Sequence, residues 1–366
     1  MKSDKCLGKG KIALIVIAVI LIVAIAAIVT ISVLNYKSSL IPKMTSEEIL
    51  QYTLKDNDRG LISVGIVNGE SSSYTVYGKD GKVVDNALHT YEIGSLTKTV
   101  TASLVSKAVL DGVVDIDASL DKYLDLPAKS HYPTIRQLLT HTSGYKQYYI
   151  DGPMISSHFT KNNDFYGVGD SDILKRLAME NIVAKDYSYN YSNFGYATLG
   201  LVLEKVYKTE FTLLINNYLS QLGLKNTCIS DGSGDLSGYW DWQNGDAYLS
   251  AGGLVSDVND MLKYAQLQLK NETVFNNAHN PLKLFDANNA SYSKLGIRID
   301  GVSYGWVVDK KNDILWHNGG TSNFNAYIGF SLKDNVAVVV LSNLAPDYKI
   351  PSTVLGRKLL SEQLGR

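Results

Sequence analysis

Two hairpin signals stand far apart in this chain, and almost everything between them reads as helix. Leu61 to Val67 and Ser73 to Gly78 surround Asn68-Gly69, and an Asn-Gly pair between strand-like runs marks a tight turn because those residues tolerate positive φ. Near the other end, Asn325 to Leu332 and Asn335 to Leu344 flank Lys333-Asp334. Between them lie helical segments: Leu96 to Leu110, stopped at Gly112 after Asp111, then Ala197 to Val206 and Asp257 to Gln268. Pro351 opens a last amphipathic run to Leu364. Strands segregated from helices exclude an alternating βαβ order and predict an α+β fold, with both hairpins in one antiparallel sheet covered by the last helix. Asn271 to Asn289 reads as a surface loop, and the Tyr145 to Gly169 segment as an insert that walls a cleft.

Ahead of the first hairpin, Ile12 to Leu34 carries no charge and only Thr30 and Ser32 as polar residues. As a helix rising 1.5 Å per residue it would be about 35 Å long, enough to cross a bilayer. The apolar core of a cleaved signal is typically about 7 to 15 residues, which favours a retained span, although Ala24-Ile25-Ala26 has the small residues of a cleavage site. Lys2, Lys5, Lys9 and Lys11 precede the run and no charge follows before Lys37, which leaves the N-terminus cytoplasmic. The expected organisation is a cytoplasmic basic segment at 1–11, a single transmembrane helix at 12–34, a juxtamembrane stalk at 35–55 and an extracellular domain at 56–366. Cys6 and Cys228 would then lie on opposite sides of the membrane, so the outer domain folds on its core without a disulfide. A net charge of −1 gives no footprint for a nucleic-acid partner.

Within the outer domain, Tyr91-Glu92-Ile93-Gly94-Ser95-Leu96-Thr97-Lys98 runs from a strand-like segment through a glycine into a long amphipathic run, Val100 to Leu110. Ser95 and Lys98 would lie one helical turn apart on one face, with the amine in reach of the hydroxyl. The unpaired N–H groups of a helix start suit a developing oxyanion, and a serine needs such a neighbour to become nucleophilic. Ser-x-x-Lys also occurs at Ser119 to Lys122, Ser143 to Lys146 and Ser291 to Lys294, but none of those follows a strand and opens a helix.

Two more segments join it. Tyr191-Ser192-Asn193 is the only Tyr-x-Asn among 24 tyrosines, and His317-Asn318-Gly319-Gly320-Thr321 leads into the strand-like Ala326 to Leu332. With Leu138-Leu139-Thr140-His141-Thr142-Ser143-Gly144 and Ser250-Ala251-Gly252-Gly253-Leu254-Val255-Ser256, this ordered set resembles the serine β-lactamase-like family: class C β-lactamases, penicillin-binding proteins of low molecular mass, D-alanyl-D-alanine carboxypeptidases and related esterases. The resemblance spans Leu61 to the C-terminus. It implies an antiparallel sheet built from both chain ends, a mostly helical inserted region, and an active site in the cleft between them.

Carried over by position, the resemblance makes Ser95 the acylated nucleophile, Lys98 the amine that readies it and Tyr191 the second base, either as a phenolate or as a proton shuttle to Lys98. Asn193 would donate its amide to the substrate carbonyl and accept from Lys98. The N–H groups of Ser95 and Gly320 would form the oxyanion hole, with Gly319 and Gly320 letting the strand come close. Ser188-Tyr189-Asn190 is a competing Ser-x-Asn box, and Tyr191 is preferred over it. His141 is expected to be structural, since no acid partner is marked by spacing. The departure is His317: class C β-lactamases carry lysine there, and an imidazole is mostly neutral at pH 7. No metal or cofactor is called for, because His141, His158, His279 and His317 show no ligand spacing.

The expected activity is that of a membrane-anchored serine hydrolase working outside the cell through an acyl-enzyme, first of all a D-alanyl-D-alanine carboxypeptidase of the cell wall. An esterase acting on D-alanyl esters of teichoic acid, a β-lactamase, and a penicillin-binding sensor that acylates without turnover are the alternatives. The partners are a cell-wall peptide or D-alanyl ester and the membrane.

Overall fold

The computed structural model describes residues 39–366. The predicted span at 12–34 and the basic segment at 1–11 lie outside the described residues. Among the described residues no helix is long and apolar enough to cross a membrane. Residues 39–45 belong to one unit, with a single 3-10 turn at Ile41–Lys43, and Ser46–Arg366 forms the other.

The main sheet of that second unit is antiparallel and has eight strands: β1 (Ile62–Asn68), β2 (Ser71–Tyr77), β6 (Lys283–Leu284), β7 (Gly301–Val302), β8 (Val307–Asp309), β9 (Ile314–Gly320), β10 (Asn325–Ser331) and β11 (Val336–Ser342), in spatial order β2-β1-β11-β10-β9-β8-β7-β6. A small second sheet pairs β3 (Tyr91–Glu92) and β4 (Cys228–Ile229) with β5 (Leu254–Ser256) between them. Both predicted hairpins are present. They meet where β1 pairs with β11, Val64 opposite Val340, so strands from the two ends of the domain are stitched together as the second and third strands of the sheet.

Every residue of β11 is buried, which explains its unbroken Val-Ala-Val-Val-Val-Leu run. A strand covered on both faces has no need of polar alternation. The helix Ser352–Gln363, which follows Pro351, packs on β10 and β11, and the helix Val258–Lys270 packs on β1 and β11. The sequence placed 46–54 in a stalk. In the structure Ser46–Leu54 is a helix of the compact unit, burying Ile49, Leu50, Thr53 and Leu54 and bonding the Ser46 hydroxyl to Glu362 at 2.5 Å. Its apolar stripe needed a surface to cover, and the last helix supplies it.

Asn271 to Asn289 is more ordered than a loop. It contains the helix Thr273–His279, with Phe275, Ala278 and His279 buried, and the edge strand β6. The central helix Thr97–Leu110 also differs from its amphipathic reading, being buried on nearly every side from Thr97 to Ser106. Its hydroxyls are internally satisfied: Thr99 donates to Leu96 O, Thr101 to Ser250 O and Ser106 to Val274 O, each at 2.8 Å. Such bonds let polar side chains sit inside a core without an unpaired group.

Candidate active site

Ser95 lies in a 3-10 turn, Gly94–Leu96, that leads directly into the central helix. Gly94 has φ +49, and a Cβ there would lie 2.6 Å from Gly320 N and 2.8 Å from Gly320 O. On the facing strand, a Cβ on Gly319 would lie 1.9 Å from Ile93 O and 3.0 Å from Ser95 N. Only glycines allow these two backbones to touch, and their touching brings the Ser95 N–H beside the β9 end that carries Gly320.

Lys98 is fully buried at the first turn of the central helix, with Nζ 3.0 Å from Ser95 Oγ and 2.6 Å from Ala251 O. It has no carboxylate partner among the described residues. Burial alone pushes its pKa well below the usual lysine range, because an unpaired ammonium is poorly solvated in a protein interior. The other three Ser-x-x-Lys serines bond elsewhere or not at all to lysine: Ser119 Oγ donates to Tyr132 O, Ser143 Oγ accepts from Tyr145 N, and Ser291 sits in the short helix Ala290–Lys294.

Tyr191 lies over the same centre, its ring centroid 5.0 Å from Lys98 Nζ. Desolvation raises its phenol above the ordinary tyrosine value, while a hydrogen bond with Ser95 pulls the other way. Tyr189 points elsewhere, tilted against Phe285 at 4.9 Å, and the Asn190 amide donates to Tyr145 O. The competing Ser188-Tyr189-Asn190 box therefore does not reach Lys98. Ser192 caps the helix Asn193–Tyr207, accepting from Gly195 N at 2.9 Å, which fixes Asn193 at the helix start facing the cleft. The second acceptor for Lys98 is the Ala251 carbonyl, where the sequence pointed to Asn193.

His141 adopts φ +56 and packs with its ring tilted against that of Tyr191, centroids 4.5 Å apart. Its Nδ1 accepts from Ser192 N at 3.0 Å, and its carbonyl accepts from Asn190 N. It thus braces the Tyr191 loop from behind with no acid partner among the described residues, and burial holds it neutral, its pKa well below the usual histidine value. His317 on β9 is buried too; its Nδ1 lies 2.5 Å from Asn318 O, and its ring is 6.3 Å from that of Tyr191. Burial, and then the neighbouring Lys98, press its pKa down to about 3.

Beside Ser95 is a pocket of about 40 Å³ lined by Phe165, Asn193, Trp240, Trp242, Tyr248 and Gly320. Phe165 belongs to the Tyr145 to Gly169 insert and stacks on Tyr248 at 4.3 Å. The two tryptophans come from a loop that no sequence signal marked. A larger cleft of about 580 Å³ near Glu204 and Phe211 contains none of the predicted site residues.

Residues 51–355 match the family described as Beta-lactamase. Protein flp of Staphylococcus aureus is 24% identical over 344 residues, covering 84% of this chain and 64% of that protein, so the chain spans less than two thirds of this relative. A beta-lactamase of Providencia stuartii is 29% identical over 243 residues, covering 61% of this chain and 59% of that one. Among solved structures, a beta-lactamase/D-alanine carboxypeptidase from Yersinia pestis complexed with citrate superposes with a TM-score of 0.66 at 20% identity, over 91% of this chain and 99% of the other. That likeness is one of fold.

Proposed function

The chain belongs to the beta-lactamase family, and from that premise we propose that it is a serine hydrolase that cleaves D-alanyl groups in the cell wall through a Ser95 acyl-enzyme. The observation that carries the reading is the buried, carboxylate-free contact of Lys98 Nζ with Ser95 Oγ at 3.0 Å. An amine whose pKa burial depresses is free to accept a proton near neutral pH. Ser95 Oγ attacks the acyl carbon while its proton passes to Lys98. The negative charge gathering on the carbonyl oxygen is received by the N–H groups of Ser95 and Gly320, and Asn193 orients the substrate. Tyr191 hands a proton to the leaving group, and water then releases the acyl group from Ser95.

The small pocket suits a methyl group on the α-carbon next to the acyl carbon, as in alanine, and Phe165, Trp240 and Trp242 exclude water from it. Carboxypeptidase action on a D-alanyl-D-alanine peptide is the first reading. A D-alanyl ester is the second, favoured by one observation: His317 is neutral and offers no fixed charge to a leaving group's carboxylate. The enzyme is anchored by the 12–34 segment with its 56–366 domain outside the cell, supported by the basic flank at Lys2 to Lys11.

Mass spectrometry of the full chain in detergent, after incubation with a fluorescent penicillin, a D-alanyl-D-alanine peptide and a D-alanyl ester, tests the reading. Acyl mass is expected on the peptide that contains Ser95, with turnover of the peptide or the ester. Ser95→Ala should abolish labelling, whereas Ser119→Ala, Ser143→Ala and Ser291→Ala should not. Labelling on another serine refutes the assignment, and a stoichiometric burst without turnover of any substrate indicates a sensor instead.

A further inference from the structure

Glu92 is buried three residues before the nucleophile, 2% exposed. Its carboxylate has no cation within ion-pair distance among the described residues. It is held by two neutral donors: the Thr321 hydroxyl at 2.6 Å on Oε2 and the Trp240 N–H at 2.8 Å on Oε1. Burying an unpaired carboxylate costs several kcal/mol, and a neutral residue of the same shape could fill this space without that cost. Packing therefore does not explain it, but the three segments that it joins do. Glu92 sits on β3, anchored to β5 opposite Val255 and leading through Gly94 to Ser95. Thr321 directly follows Gly320, and its own N–H is fixed to Phe324 O at 3.0 Å. Trp240 walls the acyl pocket, and its Nε1 donates to Ser322 Oγ at 2.8 Å.

We propose that Glu92 is a positioning residue that sets the oxyanion hole, clamping the strand end that carries Gly320 onto the segment that carries Ser95. The two oxyanion donors lie on separate segments, Gly320 at the end of β9 and Ser95 in the turn that follows β3, and those strands share no ladder hydrogen bonds, since β9 pairs with β8 and β10 while β3 pairs with β5. Contact between the Gly94 and Gly320 backbones prevents the donors from coming closer together. The Glu92 to Thr321 bond prevents them from drifting apart. The same carboxylate, through Trp240, holds the pocket wall against the hole, so acyl group and oxyanion are registered by one side chain. This inference rests on Ser95 as the nucleophile.

The test uses the full chain in detergent, a neutral chromogenic ester and a boronic acid whose tetrahedral adduct places an oxygen in the hole. Thr321→Val keeps the shape and removes the donor. It is expected to lower kcat by about tenfold to a hundredfold, less than the ~10²–10³ lost when a donor is deleted outright, with KM changed less than twofold. Boronate affinity should fall by a similar factor. Thr321→Ser restores the bond and should recover most of the loss, and Glu92→Gln, whose amide can bond both partners, should recover most of what Glu92→Ala loses. A Thr321→Val enzyme that is less heat-stable but unchanged in kcat and boronate affinity overturns the clamp, as does one altered only in KM. With Ser95→Ala inactive, such a result overturns the clamp alone. An active Ser95→Ala enzyme overturns the nucleophile assignment itself, and the clamp with it.

Discussion

Replacing His317 by lysine tests whether the third box governs recognition of a carboxylate. With the imidazole pKa pressed to about 3, only about one ring in three hundred carries a proton at pH 5.5. An exposed histidine would protonate on acidification and partly mimic lysine; the burial of the ring removes that route. The wild-type ratio of kcat/KM for a cephalosporin to that for a neutral ester should therefore stay flat from pH 8 to 5.5. Titration of Lys98 acts on both substrates and cancels in the ratio. A charged hydrogen bond contributes roughly 1.5 to 3 kcal/mol against about 1 for a neutral one, so His317→Lys should raise the ratio by about tenfold, since each 1.36 kcal/mol is a decade. The gain is limited because the new ammonium would itself have to be desolvated in the buried position that His317 occupies. Initial rates on both substrates at several pH values suffice. A wild-type ratio that climbs several-fold on acidification would show that the ring titrates and is not held neutral by burial; a His317→Lys ratio that does not move would show that His317 does not face the substrate carboxylate.

Lys98→Ala and Tyr191→Phe should each slow acylation by at least about two orders of magnitude, while Tyr189→Phe, which removes a hydroxyl remote from Lys98, should not; a greater loss from Tyr189→Phe would make Ser188-Tyr189-Asn190 the second box. Stability should fall on acidification below pH 6.5, because His279 is held neutral with its pKa lowered to about 4 and His317 to about 3. The unfolded chain then binds more protons than the folded one, so each such histidine takes away up to about 1.4 kcal/mol per pH unit until its folded pKa is reached. Glu204, raised to about 7, works in the opposite sense between about 7 and 4.5. Urea unfolding of His279→Asn between pH 6.5 and 4 should show a shallower loss than wild type, and equal slopes would rule out this account. The chain should stay in the membrane fraction with its outer domain open to added protease; a released form whose N-terminus falls between Ile25 and Ser39 would instead mark a cleaved signal.

The parts of the fold legible in the sequence were those governed by local chemistry. Asn68-Gly69 announced a turn, Gly94 the passage from strand to helix and Pro351 a helix start, and each is where expected. The character of the central helix was not legible, because Thr99, Thr101, Ser103 and Ser106 look solvent-facing until their carbonyl acceptors are known. The acyl pocket was hidden for a related reason: Phe165, Trp240, Trp242 and Tyr248 come from separate stretches of chain with no shared period. Ala251 holds Lys98 by a backbone carbonyl, which any residue type would supply. Glu92 was visible only as part of a strand, since nothing local shows that a carboxylate there meets Thr321.

The sequence also left open whether Tyr191 acts as a phenolate or as a proton shuttle, and burial at the site bears on that choice. A neutral amine beside a neutral phenol carries the same number of protons as an ammonium beside a phenolate. Proton count therefore cannot separate the two forms, but desolvation can. It lowers the Lys98 pKa and raises that of Tyr191, and both shifts favour the neutral pair in a dry site. The resting base is then the Lys98 amine. One of its N–H groups donates to Ala251 O at 2.6 Å, leaving the lone pair to accept the Ser95 proton across the 3.0 Å contact. Tyr191 keeps its proton and remains hydrogen-bonded with Ser95, placed to protonate the leaving group when the tetrahedral species collapses. On deacylation the Tyr191 phenolate takes a proton from the attacking water and Lys98 returns its proton to the departing Ser95 Oγ, so one buried triad serves as base and acid in turn. His141 and His317 are both neutral beside it, and a positive charge on either would lower the Lys98 pKa further while drawing Tyr191 toward phenolate, breaking the division of labour.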